Sequence, residues 1–235
     1  MIKQPQNQIA SYSKGFTLIE LMIAITILSL LLFTGSFSYS LMSERWNKEL
    51  GQFSQSAKQA KNLELLQRLL EGVQPYVVVD KNKKPSFFFI GDNNSLLGVS
   101  RSGLFETEYP VIFRLTANVK ESGTVDLVYQ SASTKNILLI GTDQSIEFTK
   151  QVVLFTGLDK VEFSYYGWSH LYEKSAEIKN SNNQRWYERF SGIDNQLMPE
   201  KYSVTLIKDE QKLSIPVLLE DKPERWLAPY YEENQ

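Results

Sequence analysis

Glu20 raises the first chemical question in this chain. Between Phe16 and Met42 it is the only charged side chain. A carboxylate deep in a membrane-length apolar run costs at least about 2.5 kcal/mol and usually has a partner. Position alone permits two readings: a specific partner, or a carboxylate near a membrane edge that reaches out to water. The rest of the chain offers little for catalysis. His170 is the only histidine; with Trp168 and Tyr172 at alternate positions it reads as a structural or surface residue. Gly91-Asp92-Asn93-Asn94-Ser95 places oxygen ligands close together. It lacks the acid-rich loop and distal bidentate glutamate of an EF-hand, so a turn is expected. Lys81, Lys83 and Lys84 read as a solvated turn, because a nucleic-acid groove needs more charge over a wider surface. The sequence has no nucleotide loop, metal-ligand cluster or nucleophile elbow. No enzymatic activity, cofactor, metal or nucleic-acid partner is therefore expected.

Composition narrows the classes further. The 235 residues are 42% hydrophobic and 22% charged, with 12 Tyr and 13 Phe, which suits a globular core. The formal net charge of -2 gives no strong electrostatic footprint for nucleic acid. Cysteine is absent, which excludes a disulfide framework, a thiolate metal site, a cysteine nucleophile and a lipidated-cysteine anchor. A single histidine leaves little for a His-rich metal site or a Ser-His-Asp triad.

The elements that position Glu20 come next. Residues 16–33 form a run about long enough to cross ~30 Å of hydrocarbon as a helix. A cleaved secretory signal has an apolar core of roughly 7–15 residues and a small-x-small site. This run is longer, and "LFTGSFSYS" after it offers no such site. The preceding stretch carries Lys3 and Lys14 and no acid. Positive charge before a first membrane helix favours a cytoplasmic N-terminus, with the bulk of the chain on the other side. Gly35, Ser36, Ser38 and Ser40 predict a bend or local melting. Beyond Ser43, Trp46, Leu50, Phe53, Ala57, Ala60, Leu63, Leu66, Leu70 and Val73 are spaced by threes and fours. That period makes an amphipathic helix, ended by Gly72 and Pro75. Phe16 to Glu71 is expected to be one helix of roughly 80 Å. Its stripe is expected to pack on a globular head, with a coiled-coil contact to another protein as the alternative.

From Tyr76 the apolar period changes to two. "YVVVD" (76–80), "FFFI" (87–90), "VIFRLTANV" (111–119), "TVDLVYQ" (124–130), "NILLIG", "IEFTKQVVLF" and "KVEFSYYGW" read as strands. "KESG" suggests one hairpin turn, and "EQ" another between "YSVTLIKD" (202–209) and "KLSIPVLL" (212–219). The fold class is α+β, a long N-terminal helix against a mostly antiparallel sheet system. No repeat or linker divides the head. The tail "EDKPERWLAPYYEENQ" carries Trp226, Tyr230 and Tyr231 and is expected to pack on the head or dock on a partner.

Lys14-Gly15-Phe16-Thr17-Leu18-Ile19-Glu20-Leu21 resembles the class III signal of type IV pilins and type II secretion pseudopilins. The resemblance implies cleavage by a prepilin peptidase between Gly15 and Phe16, N-methylation of Phe16, and an apolar helix that stays on the protein. Cleavage removes Lys3 and Lys14, taking the side-chain charge from -2 to -4. It also creates an ammonium at Phe16 that can pair with Glu20 of its own or a neighbouring subunit and, in the second case, reward axial register. The implied architecture is a leader (1–15), a transmembrane assembly half-helix (16–43), an amphipathic half (44–72) and a periplasmic β-rich head (73–235). The implied location is the bacterial inner membrane, single-pass, with incorporation into a pseudopilus or pilus.

The head is most similar to the J-type minor pseudopilin. "VSRSG" (99–103), "VDLVYQ", "VVLFTGLDKVEFSYYG" (152–167), Trp186 and Met198-Pro199 before "YSVTL" carry that likeness. The fifteen-residue leader and the expanded stretch 169–196 depart from the pattern. The resemblance implies a minor pseudopilin of a tip complex that helps start filament assembly and protein export. Its partners would be other minor pseudopilins or pilins, the prepilin peptidase, an inner-membrane assembly platform and membrane lipid. A type IV minor pilin serving adhesion, DNA uptake or pilus priming remains open, as does an uncut membrane-anchored binding domain. Some relatives bind calcium, but no such site maps onto these residues.

Overall fold

The structure, a computed structural model, describes residues 15–176, 184–219 and 222–232. Lys3 and Lys14, most of the expected leader, and part of the 169–196 stretch lie outside the described residues. The chain divides into two compact units, Met1–Ala57 and Lys58–Gln235. The first is built on the helix α1, Leu18–Glu71, which continues into the second. Helix is unbroken through Gly35, Ser36, Ser38 and Ser40, so the expected melting there does not occur. Serine and glycine lower helix propensity by up to about 1 kcal/mol each, which is too little to break a helix continued on both sides.

Within the second unit, burial along α1 is confined to its end. Leu66, Leu69 and Leu70 are buried, and Leu63 packs beside them. Within this unit the expected stripe is buried at Leu66, Leu70 and Val73; Trp46, Leu50 and Phe53 belong to the first unit. Periodicity shows which helix face is apolar, not how far along it a facing layer extends.

Among the described residues, twelve strands follow, in three antiparallel sheets. A small ribbon pairs β1 (Val77–Val79) with β2 (Pro85–Phe87). The largest sheet holds β3 (Ile90–Gly91), β4 (Ser95–Ser100), β5 (Val111–Val119), β6 (Val125–Ser133) and β7 (Lys150–Leu158). A four-stranded sheet contains β8 (Lys160–Gly167) and β9 (Arg185–Tyr187), with β11 (Lys201–Lys208) and β12 (Gln211–Leu218). β10 (Phe190–Ser191) crosses from that sheet to pair with β3. Orders are β10-β3-β4-β5-β6-β7 and β12-β11-β8-β9. The α+β architecture of helix followed by antiparallel head stands as expected.

Both hairpins form. β5 and β6 pair from Val119↔Val125 outward, and Gly123 takes φ +82 in their turn. β11 and β12 pair from Lys208↔Gln211, so the turn is Asp209-Glu210, one residue earlier than expected. Both turn residues have positive φ, 48 and 63, the handedness that matches strand twist. Asp159 Oδ2 accepts from Asp209 N at 2.7 Å and steadies it.

Two apolar cores lie on opposite faces of the large sheet. Phe113, Leu115, Leu127 and Tyr129 point into the main core with the end of α1, whereas Val99 and Ile112 face the second. "FFFI" feeds both: Phe87 and Phe89 enter the main core, Phe88 the other. "NILLIG" is not a strand. Its sole ladder contact is an isolated bridge, Val79↔Gly141, and Leu139 caps the second core with Ile137, Ile146 and Phe148. "IEFTKQVVLF" becomes strand only from Lys150. Apolar runs can be buried by loop packing as well as by pairing, and alternation does not separate the two.

The last turn of α1 leaves carbonyls that need donors. Tyr202 Oη donates to Leu70 O at 2.7 Å, and Ser100 Oγ to Leu69 O at 2.9 Å. Strands far away in sequence thus cap the helix. After β9, the helix α3 (Gly192–Asn195) is capped by Ser191, and α2 (Leu171–Ala176) precedes it. The tail forms a 3-10 turn, Pro223–Trp226, and α4 (Ala228–Glu232). Leu227 enters the main core, which is the self-packing expected of the tail.

Candidate assembly site

The N-terminal segment carries the residues singled out by sequence. Gly15, Phe16 and Thr17 lie in non-helical backbone, and helix begins at Leu18. The bond between Gly15 and Phe16 therefore lies just outside the helix. Thr17 is the N-cap: its carbonyl accepts the first helical bond, from Leu21 N at 3.2 Å.

Glu20 occupies the third helical position, and its carboxylate returns to Thr17. Oε2 accepts from Thr17 N at 2.9 Å and from Thr17 Oγ1 at 2.9 Å. Thr17 Oγ1 accepts from Glu20 N at 3.3 Å. This is a reciprocal capping box, which satisfies donors that the first helical turn leaves unpaired. An anion at a helix N-terminus also faces the positive end of the helix dipole. The carboxylate is thus anchored locally. Both bonds land on one oxygen, and a carboxylate has about four lone-pair sites, so capacity remains for a further donor.

Sequence reasoning picked out Glu20 and missed the role of Thr17. The signal was present: Thr followed three residues later by Glu, just before an apolar run, is a helix-start signature. Two further threonines in the run are dealt with the same way, by short local bonds. Thr26 Oγ1 donates to Ile23 O at 2.8 Å, and Thr34 Oγ1 to Leu30 O at 2.6 Å. Hydroxyls that bond their own helix carry no unmet polarity into an apolar environment.

The apolar residues around this site face outward. Phe16, Leu18, Ile19, Leu30 and Phe33 are all strongly exposed. The run's mean hydropathy is 2.3 over its best eighteen residues, and α1 is long and apolar enough to cross a membrane.

The residues read as structural lie in turns and on the surface. His170 is exposed just before α2. Asp92 Oδ1 accepts from Asn94 N and Ser95 N at 2.7 and 2.6 Å, making "GDNNS" a side-chain-braced turn. Lys81 pairs with Asp143 at 2.8 Å on the surface. Among the described residues, no group of three or more His, Cys, Asp or Glu could hold a metal ion.

A family model for the prokaryotic N-terminal methylation motif matches residues 10–35. Those residues span Gly15-Phe16, the capping box and the apolar run. The chain therefore carries the prepilin-type N-terminal signal of pilins and pseudopilins. No curated protein matches the chain.

Proposed function

We propose that this protein is a non-enzymatic filament subunit, a minor pseudopilin of a type II secretion system that joins a tip complex. The methylation motif at residues 10–35, placed on an exposed apolar helix, carries this reading. Exposed apolar surface of that extent calls for lipid or for neighbouring helices. In this account prepilin peptidase cuts between Gly15 and Phe16, and Phe16 is methylated. The apolar half-helix sits in the inner membrane with its N-terminus cytoplasmic, and the head is periplasmic. The assembly platform and other minor subunits are its partners. The segments that resemble the J-type subunit fall on β4 and the bend after it, β6, β7–β8, β9 and β11, and they favour that position in the complex. A minor pilin of a type IV pilus is the alternative, and neighbouring genes separate the two: a secretion ATPase with other pseudopilins, or a retraction ATPase with a major pilin.

Intact mass of the protein purified from its native membranes tests the processing. A mature chain beginning at methylated Phe16 is expected. A chain that keeps Met1 overturns the filament reading in favour of an uncut anchor. Deletion of the gene is then expected to impair export, and normal export without it removes the secretion assignment.

A further inference from the structure

The outward face of the four-stranded sheet carries a feature separate from the N-terminal capping box and apolar run. Alternate residues of β8, β11 and β12 put Glu162, Ser164, Ser203, Thr205 and Ser214 on one face, in register across three strands. Ser164 and Ser203 hydroxyls are 2.9 Å apart, and those of Thr205 and Ser214 3.1 Å. This floor lies in a groove of about 740 Å³, walled by the β3–β4 turn, the β5–β6 hairpin and Trp186 of β9. Sites that bury small ligands occupy roughly 300–1,000 Å³.

We propose that this groove binds a neutral oligosaccharide. Each hydroxyl brings one donor and two acceptors, and each hydroxyl pair uses only one donor in its mutual bond. The floor therefore offers donors and acceptors together at strand spacing, which a polyol matches and an apolar ligand does not. Trp186 supplies the apolar wall. It is 52% exposed, so a flat surface with an N–H at its rim is available to the C–H face of a sugar ring. Its place is fixed: the ring packs on Tyr166 at 5.3 Å between centroids, and the Lys201 ammonium lies 4.3 Å from the Tyr166 centroid and 5.5 Å from that of Trp186.

Charge selects the neutral ligand. Lining the groove, Asp159, Glu162 and Glu188 oppose Lys160 and Lys212. Lys160 is bound to Glu162 at 2.6 Å and Asp159 is held by the β11–β12 turn. With the Lys201 ammonium beside Trp186 the charges balance, so the groove offers no excess positive charge to phosphate or other anions. Compensated charges at the rim still serve as directional acceptors and donors for hydroxyls.

The test uses the full-length protein in a zwitterionic detergent, since glycoside detergents would compete. It is titrated with chitotetraose, maltotetraose and cellotetraose by calorimetry, and screened on a glycan array. At least one neutral glycan is expected to bind at about 1 mM or tighter. Trp186→Ala and Ser203→Ala are each expected to weaken it about tenfold, with unfolding curves unchanged. Inorganic phosphate at the same concentration is expected not to bind. Absence of binding to every glycan tested overturns the proposal. So does binding that both variants retain at wild-type strength while folded, which would place the ligand elsewhere. If either variant unfolds, Glu162→Gln and Lys212→Ala, both at the rim, decide by the same criterion.

Discussion

Phe16 and Phe33 in the N-terminal unit are 88% and 73% exposed, whereas Phe87 and Phe89 in the head are fully buried. The two regions use the same side chain under opposite rules. In the head, aromatic rings satisfy one another: Phe89 has Tyr165, Phe190 and Tyr202 within 5.8 to 6.3 Å, all at edge-on angles. In the N-terminal unit the apolar surface is left for something outside the chain. The hydrogen bonds divide the same way. Thr17 and Glu20 bond across three residues, while Tyr202 and Leu70 bond across 132. One region is self-contained in polarity and open in hydrophobicity; the other closes both through long-range contacts. A helix built for lipid or a bundle needs the first arrangement, and an independently stable head needs the second.

Phe89→Ala against Phe33→Ala gives the largest break in that comparison. The first removes a ring from the middle of the main core and is expected to cost about 3–5 kcal/mol of head stability. The second removes an exposed ring and is expected to stay within about 0.5 kcal/mol in the same denaturant measurement. Equal losses would mean that the head depends on the N-terminal helix surface. Gly91→Ala is the next step down. A Cβ there would lie 2.2 Å from Cζ of Tyr165, whose hydroxyl donates to Asp92 O and Ser95 O. The ring cannot shift without losing those bonds, and a loss of about 1–3 kcal/mol is expected.

Tyr202→Phe tests the head's long-range polarity at a similar scale. It removes the hydroxyl donor of the Leu70 carbonyl and leaves that oxygen only the Val73 N–H at 3.2 Å, an expected cost of about 0.5–1.5 kcal/mol. The same residue predicts a pH dependence. Burial raises the Tyr202 and Tyr165 pKa values, so the folded head holds both phenols neutral. In the unfolded chain they ionise near about pH 10. The native state then binds more protons, so stability is complete below pH 10 and falls as pH rises above it. Denaturation measured from about pH 9 to about pH 12, around that ordinary phenol value, is expected to show a steep loss. Tyr202→Phe is expected to make the fall shallower; an unchanged slope would assign it to other groups.

These differences also explain what the sequence made legible. Local devices could be read: the apolar run, both hairpins, the braced turn at Asp92 and the helix end at Gly72. Each depends on residues within a few positions of one another. The failures are matters of tertiary placement. "NILLIG" has the composition of a strand, but its backbone meets no ladder beyond Gly141. Leu69 is buried although the three-four stripe passes it by, because the facing core is wider than one ridge. The hydroxyl floor escaped notice because Ser164, Ser203, Thr205 and Ser214 come from three strands. Only pairing register places them together.

The smallest expected effect separates two jobs at Glu20. Thr17→Val removes the hydroxyl of the capping box but leaves the carboxylate. It is expected to cost the helix about 1 kcal/mol, read as fraying of the first turn by hydrogen exchange in micelles. Glu20→Gln keeps an acceptor for the Thr17 N–H, since glutamine serves in a capping box, but removes the charge. If the carboxylate serves only the cap, Thr17→Val is the more damaging change, and both variants co-purify with partner subunits in proportion to helix stability. If it also meets the ammonium of processed Phe16, Glu20→Gln is expected to weaken co-purification while leaving the first turn protected. Thr17→Val would then do the reverse. Opposite rank orders in the two measurements are the expected result, because the capping bonds engage one carboxylate oxygen and a filament contact can engage the other.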